Sequence, residues 1–163
     1  MATYADIRDA IEARLNTVAN IGNVQDYRRV AQTYSQLDAA FTATIGGVKQ
    51  IRGHSIAWES ATWEPEGWQS AAQMRMTGDE VFVVRSYMSA NDGQATDRTF
   101  SALVESMMSA LVTCAASLTP RASHVPVTLR QNGFATFDVP GIGEAAIIHY
   151  AEIAVTVPNQ RVV

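Results

Sequence analysis

The chain has 163 residues, of which 47% are hydrophobic and 17% charged, and it carries a formal net charge of -4. This composition predicts a single domain over residues 1–163 that is large enough to bury a core. The acidic balance argues against a nucleic-acid-binding module, because such modules cluster Lys and Arg on one face. Cys114 is the only cysteine, which excludes an intrachain disulfide and a thiolate metal cage.

The N-terminus has neither the basic segment nor the apolar segment of a secretory signal. No apolar run reaches the roughly 18 to 20 residues that a membrane span requires. We therefore expect synthesis in the cytoplasm and no contact with a membrane.

The first half of the chain predicts two helices and a strand between them. Thr3 and Asp6 have the spacing of a capping box, and apolar residues at helical spacing follow as far as Val18, which predicts a helix from about Thr3 to Val18. A short strand is predicted from Val24 to Tyr27, and a second helix from about Ala31 to Thr44, before two glycines.

Two further strands are predicted before the middle of the chain. The first runs from Val48 to Ala61, and we expect a bulge near Gly53 to bring Ile51 and Ile56 onto one face. The second runs from Glu80 to Met88 and is apolar on both faces, which indicates a central position in its sheet.

The second half predicts a long helix and three strands. The helix begins near Phe100, continues to Leu118 and is closed by Pro120. Asn132 and Gly133 predict a hairpin turn between two strands, and a final strand ends at Pro158. The predicted fold is α+β, a mostly antiparallel β-sheet with helices covering one side, in the approximate order α-β-α-β-β-α-β-β-β.

The sequence holds little concentrated chemistry. His54, His124 and His149 are far apart, and none has the spacing of a metal site; glycine-rich phosphate loops and nucleophile elbows are also missing. We expect His149 to be a core or interface residue and Cys114 to be a buried, inert thiol. The prediction is therefore a protein that is not an enzyme and has no catalytic residue, cofactor or metal.

All three tryptophans fall in one short segment, at Trp58, Trp63 and Trp68. Glu64 and Glu66 lie between them in a Glu-Pro-Glu-Gly sequence, which is typical of a solvent-exposed turn and does not specify a glycosidase site. Core packing and anchoring of a partner protein are both open for the tryptophans, because large rings are common in cores and at interface hot spots.

Several motifs in order along the chain resemble one family. They are the helical start Ile7, Ile11 and Leu15; the turn and strand from Ile21 to Arg29; the strand Val81 to Tyr87 with Asn91 and Asp92; the helix positions Phe100, Leu103, Val104 and Glu105; and the run His149 to Ile153. Together they resemble the tail terminators, the small tail-completion proteins of tailed bacteriophages and gene-transfer particles.

The resemblance implies a virion structural protein at the tail end or neck. Such proteins form a ring, commonly of six copies, that caps the tail tube, ends its polymerisation and docks the tail to the head connector or stopper. DNA passes through the lumen without specific binding, and the expected partners are further copies of the chain, the tail tube protein and the connector. The candidate subunit or partner interface residues are Asp26, Tyr27, Arg28, Arg29, Trp63, Trp68, Val162 and Val163.

Two alternatives remain open from the sequence. The nearer one is another structural position in the same particle, either a head-completion or connector adaptor or a baseplate component. The more distant one is a small-molecule hydrolase, which would need a pocket that combines one of the histidines with carboxylates.

Overall fold

A computed structural model of the protein describes residues 2–28, 33–70, 72–90, 95–114, 124–138 and 145–162. Within these ranges the chain forms an α+β fold, as predicted, with a mostly antiparallel sheet. In chain order the elements are α1 Tyr4–Leu15, β1 Asn23–Gln25, α2 Tyr34–Phe41, β2 Thr42–Ile45, β3 Val48–Ser70, β4 Gln73–Ser89, α3 Thr96–Leu111, β5 Val127–Asp138 and β6 Ala145–Val162.

Three long strands form the centre of the sheet, whose order is β1-β3-β4-β6-β5. β4 lies between β3 and β6 and is antiparallel to both, which confirms the central position predicted for Glu80 to Met88. β1 is parallel to β3, and β2 pairs with the start of β3 as an antiparallel hairpin. β5 pairs with β6 and forms the opposite edge.

Helices cover both faces of this sheet, so the prediction of helices on one side is wrong. α1 and α3 pack on one face over the main core, which includes Ile56 and Phe82. α2 packs on the other face over a smaller core, which includes Ile51. Ile51 and Ile56 are both buried on opposite faces, and the pairing of β3 with β4 shows no register shift near Gly53. The expected bulge is unnecessary because each face has its own helix.

The first helix follows the sequence pattern closely. The Thr3 hydroxyl accepts a hydrogen bond from the Asp6 backbone N–H, and the Asp6 carboxylate accepts one from the Thr3 backbone N–H, which completes the predicted capping box. Ile7, Ile11 and Leu15 are fully buried. The helix ends at Leu15, three residues before the predicted end.

The second helix is shorter than predicted. It ends at Phe41, and Thr42–Ile45 turn back onto β3 through Gly46 and Gly47, whose φ values are +58° and +83°. Two consecutive positive φ values are the geometry of a tight hairpin turn, which glycine adopts without strain. Hairpin pairing therefore wins over helix propensity in this segment.

The predicted hairpin at Asn132 and Gly133 is also wrong. These residues lie inside the single strand β5, paired with Ala151 and Tyr150 of β6. Because β6 is 18 residues long, it supplies partners along the whole of β5, and this pairing overrides the local turn preference. The observed element order is α-β-α-β-β-β-α-β-β.

The third helix begins at Thr96 and ends at Leu111, and Cys114 just beyond it is buried as predicted. The remainder of the predicted helix, residues 115–120, lies outside the described residues.

Candidate interface surfaces

The structure divides the central strands into two regions. In the sheet base, residues 51–57 of β3 are all buried. In the distal hairpin, which we define as residues 59–70 of β3 and 73–79 of β4, every residue with a described exposure is partly or fully exposed. The boundary between the two regions lies at the buried residues Glu80 and Asn159. The Asn159 side-chain amide donates hydrogen bonds to the Ala2 carbonyl at 3.0 Å and to the Glu80 carboxylate at 3.1 Å.

Two β-bulges place all three tryptophans on one face of this hairpin. Trp58, Trp63 and Trp68 are five residues apart, a spacing that puts neighbours on opposite faces of a regular strand. The register shifts once between Trp58 and Ser60 and once between Pro65 and Gly67. Each bulge adds one residue to β3, so tryptophans five positions apart point to the same face of the sheet. We call the resulting row, Trp58, Trp63 and Trp68, the tryptophan stripe; it lies on the face that carries α1 and α3.

Exposure varies along the tryptophan stripe, and Trp58 at its inner end is 47% exposed. The Trp58 ring lies edge-on to Tyr4, with centroids 5.7 Å apart, and Tyr4 lies against the buried Phe82 at 5.3 Å. Trp58 therefore extends the rim of the main core. Trp63 is partly buried, and Trp68 is 69% exposed. Trp58 therefore packs at the edge of the core with about half of its surface exposed, and Trp68 is the most exposed of the three.

The expected acidic turn is part of a strand. Glu64 and Glu66 both lie within β3, where a bulge accommodates Pro65 and Gly67. The Glu66 carboxylate lies 3.8 Å from the Arg75 guanidinium of β4. The turn prediction is wrong because β4 pairs with β3 through this segment.

The distal hairpin carries most of the net charge of the protein. Residues 59–79 contain four acidic residues and one arginine, a net charge of -3 out of the -4 of the whole chain. Glu80, the next residue, is buried and supplies the remaining negative charge, so the other residues are neutral overall. An acidic surface with exposed indole rings repels nucleic acid and suits a protein partner.

The C-terminal candidate Val162 lies at the same end of the sheet. It is the last residue of β6 and pairs with Arg75, one residue nearer the sheet base than the pair formed by Trp68 and Met74. It belongs to the sheet instead of forming a loose tail, and its position in the register places it on the face opposite the tryptophan stripe. Val163 lies outside the described residues.

The other predicted interface residues follow β1, which pairs with residues 53–55 in the first half of β3. Asp26 contacts Arg8 of α1 at 3.6 Å, and Tyr27 is 46% exposed. Arg28 is also exposed. Strand β1 ends at Gln25, earlier than predicted, and Arg29 lies outside the described residues. This group is roughly 40 Å along β3 from Trp68.

A further exposed surface was missed by the sequence analysis. Leu129 and Phe134 on β5 and Ile147 on β6 form what we call the β5 patch; Phe134 is 58% and Ile147 55% exposed. A register shift between Leu129 and Gln131 brings Leu129 onto the face of Phe134, as in the tryptophan stripe. The turn predicted at Asn132 and Gly133 would have separated Leu129 from Phe134, whereas both lie in one continuous strand.

His54 is a structural residue of the main core. Its Nε2–H donates to the Ile21 carbonyl at 2.7 Å, because a carbonyl oxygen can only accept, and its Nδ1 is hydrogen-bonded to the Ser86 hydroxyl at 2.9 Å. Complete burial lowers the pKa of His54 from 6.5 to about 4. His54 is thus held neutral between two fixed partners.

His149 is also buried, as predicted. It stacks on Phe100 and packs against Phe134, accepts or donates one hydrogen bond with Thr96, and lies 3.9 Å from Asp97. Burial raises the pKa of Cys114 to about 11, as expected for an unreactive thiol. Among the described residues, no three His, Cys, Asp or Glu side chains group as metal ligands.

A polar cluster crosses the α2 face of the sheet base. The Arg85 guanidinium donates to the Glu152 carboxylate at 2.6 Å, and the Tyr150 hydroxyl donates to the same oxygen. Partial burial acts to raise the pKa of Glu152, but these two hydrogen bonds outweigh it and hold that pKa below its ordinary value. Burial and the Glu152 carboxylate raise the pKa of Tyr150. The cluster is a stabilising network in which each charged group has a partner.

An ion pair between Arg130 of β5 and Glu59 of β3 reaches across β4 and β6. Strands separated by two others lie roughly 14 Å apart in a flat sheet. The contact therefore requires the sheet to curl, which brings its two edges closer together.

No protein-family model matches the chain, and no curated protein sequence matches it. In the described part of the chain, no helix is both long enough and apolar enough to cross a lipid bilayer.

Proposed function

We propose that this protein is a virion structural protein, similar to the tail terminators of tailed bacteriophages, that forms a ring on the end of the tail tube. The ring would stop tube polymerisation, dock the tail to the head connector or stopper, and leave a channel for DNA. The sequence motifs given above support the resemblance, and the α+β fold is compatible with it.

The structural observation that carries the proposal is the separation of the exposed surfaces. A closed ring uses head-to-tail contacts, in which each subunit presents two different surfaces to its two neighbours. Among the described residues, exposed aromatic or apolar side chains include those of the distal hairpin, the β5 patch and Tyr27 after β1. Two of these surfaces suffice for a ring, and the third remains for the tube or connector.

The charge distribution suits a channel protein. A lumen lined with Lys and Arg would retain DNA through its phosphates, with an affinity that falls steeply with salt. Here the net negative charge is confined to residues 59–80. A lumen formed by the distal hairpin or by the neutral remainder would let DNA pass without holding it.

The first experiment is the mass of the purified protein by light scattering over a concentration series, with negative-stain images of the same samples. The expected result is a ring of about six copies with an open centre. A twelvefold ring would favour a connector adaptor instead, because such a ring would match a twelvefold portal.

The second experiment tests the function itself, and it also covers a protein that is monomeric when free. Tail tube protein of the same virus is polymerised with and without this protein, and tube lengths are measured by electron microscopy. Tubes that stop growing and carry a ring at one end support the proposal. Tubes of unchanged length without bound protein would refute it, and a compact dimer that hydrolyses ester or phosphate probes would favour the hydrolase alternative.

A further inference from the structure

We propose that Arg52 is the receptor for an oxyanion group, a phosphate or a carboxylate that another molecule supplies. The inference goes beyond the proposed function and does not depend on it. The observation behind it is a buried positive charge that none of the described acidic residues neutralises.

Arg52 is buried more deeply than the arginines that form ion pairs. Only 6% of Arg52 is exposed, whereas the side chain of Arg85 is 20% exposed and bonded to Glu152. The other arginines seen to contact a carboxylate are more exposed still: Arg8, Arg75 and Arg130. A guanidinium stays charged at neutral pH, and charged groups are almost never buried without a partner. Arg52 therefore departs from the pattern of this chain.

The guanidinium of Arg52 contacts neutral groups. One Nη donates to the Asn20 carbonyl at 3.1 Å, and the other lies 3.1 Å from the Met88 sulfur, which is a weak acceptor. Nε is buried and has no hydrogen-bond partner. Burial lowers the pKa of Arg52, and no acidic group in the described ranges opposes that shift. Two of the five N–H donors of this arginine are thus used within the described chain, which leaves three.

The guanidinium lies close to the protein surface on one side. Asn20 is exposed and belongs to the turn that follows α1. Because Arg52 binds the backbone carbonyl of this residue, its guanidinium lies directly below the turn. Met88, the other partner, is fully buried. The approach for an anion is therefore from the side of Asn20, without opening the main core.

The same turn holds the Arg52 side chain in place. A Cβ added at Gly22, whose φ is +89°, would lie 2.8 Å from Cγ of Arg52 and 2.2 Å from its carbonyl oxygen. Glycine is what lets the turn lie this close to the arginine. The stem of Arg52 is thus fixed before a ligand binds. A fork positioned in advance binds a carboxylate or phosphate at a lower entropic cost.

The nearby His54 adds no charge to the site. Burial lowers the pKa of His54 to about 4, and the positive charge of Arg52 adds to that shift. His54 is therefore neutral at pH 7, and both of its ring nitrogens are already hydrogen-bonded. A single guanidinium suits one oxyanion group, whereas a polyanion such as DNA is held by several cations.

Two sources supply such a group, and they differ in what stabilises the protein. The first is a free anion such as inorganic phosphate, which stabilises the folded chain as its concentration rises. The second is an acidic side chain of a second copy of this chain, for which protein concentration takes that part.

Thermal unfolding of the purified full chain tests the site. The midpoint is measured at pH 7 in sodium chloride and in sodium phosphate of equal ionic strength, over a phosphate titration and at several protein concentrations. Phosphate also stabilises proteins by exclusion from their surface, so Arg52→Met is measured in parallel. The matched control is Arg98→Met, which removes an exposed arginine. Calorimetric titration of the wild type with phosphate gives the Kd.

The expected result for a free anion is a saturable rise in the midpoint of the wild type and of Arg98→Met. The rise should reach roughly 5 to 10 °C at a phosphate concentration of about one hundred times the Kd. Arg52→Met should lose it. Arg52→Lys keeps the charge without the fork and should bind phosphate about tenfold more weakly or worse. This second variant also covers the case in which Arg52→Met does not fold.

The expected result for a carboxylate of a second copy is different. The wild-type midpoint should then rise with protein concentration instead of with phosphate, and Arg52→Met should remove most of that rise, whereas Arg98→Met should keep it.

Two outcomes overturn the inference. A wild-type midpoint that responds to neither phosphate nor protein concentration would show that the guanidinium takes no anion. A response of equal size in the wild type and in the Arg52 variants would show that the anion binds elsewhere. Neither outcome bears on the proposed function, which the tube-length measurement tests separately.

Discussion

The sheet base and the distal hairpin are built from the same strands but differ in almost every physical respect. In the base, β3, β4 and β6 are covered by α1 and α3 on one face and by α2 on the other. In the hairpin, the same strands continue with exposed tryptophan and acidic residues. The comparison teaches that backbone pairing can continue well beyond the core that stabilises it. The base therefore supplies most of the buried apolar contacts, and the hairpin lies outside them.

The largest expected effect contrasts an aromatic residue of the base with one of the hairpin. Phe82 is fully buried in the main core, so Phe82→Ala should lower the free energy of unfolding by about 3 to 5 kcal/mol. Trp68→Ala removes an exposed ring and should change it by no more than about 0.5 kcal/mol. Urea unfolding followed by circular dichroism measures both. Similar losses would mean that the hairpin shares the cooperative core.

Low pH should lower the free energy of unfolding through His54, which is buried in the sheet base. Its pKa is about 4 in the folded protein and 6.5 when exposed, so the unfolded chain takes up the proton first as pH falls. Stability is full above pH 6.5 and declines towards pH 4, by about 3 kcal/mol in all. Urea unfolding at a series of pH values measures the slope.

The variant His54→Gln is the control for this titration. It should be less stable at neutral pH, and its free energy of unfolding should no longer fall between pH 6.5 and 5. This range lies above the ordinary pKa values of carboxylates, so they contribute little to the change. A wild-type stability that is flat over that range would contradict the assignment.

Two glycines in the sheet should respond differently to the same substitution. A Cβ added at Gly53 would lie 2.4 Å from Cδ1 of Phe41, whereas one added at Gly133 meets no atom within 4 Å. We expect Gly53→Ala to cost about 1 to 3 kcal/mol through overpacking against α2, and Gly133→Ala to be nearly neutral. The clash also predicts that Gly53→Ala costs less in a Phe41→Ala background. Equal costs in both backgrounds would exclude this contact as the cause.

The smallest effects compare one ion pair from each region. Glu152 is 20% exposed and bonded to Arg85 and Tyr150, so Glu152→Ala leaves two partners unsatisfied and should cost about 1 to 3 kcal/mol. Glu66, at 38% exposure beside Arg75, lies in the hairpin, and Glu66→Ala should change stability by no more than about 0.5 kcal/mol. Thermal unfolding of both variants checks the ranking, and a larger loss for Glu66→Ala would reverse it.

The sequence predicted those elements whose pattern repeats over several turns or pairs. Ile7, Ile11 and Leu15 identified α1, and the apolar run around Phe82 identified the central strand. Prediction failed where distant partners decide the structure. Asn132 and Gly133 are locally typical of a turn, yet a long β6 holds them in one strand. Likewise, Ile51 and Ile56 need no bulge, because the chain places a helix on each face of the sheet.

The candidate interface was predicted in part. Composition identified Trp63 and Trp68, and Trp68 is indeed highly exposed. The common face of the three tryptophans was not predictable, because a five-residue spacing indicates alternation and a bulge leaves no sequence period. The β5 patch was missed for the same reason, since Leu129 and Phe134 share a face only through a register shift.

The bulges of β3 also bear on how this chain can vary in length over evolution. Each bulge adds a single residue to β3, and this residue determines which face of the sheet the later side chains of the strand occupy. Deletion of one regular residue between Trp63 and Trp68 that keeps the bulge would turn the outer indole to the opposite surface. Deletion of the extra bulge residue, or of two regular residues, would preserve its side. Related chains that keep the stripe should therefore differ between these tryptophans by even numbers of regular residues, or by one residue together with the loss of the bulge.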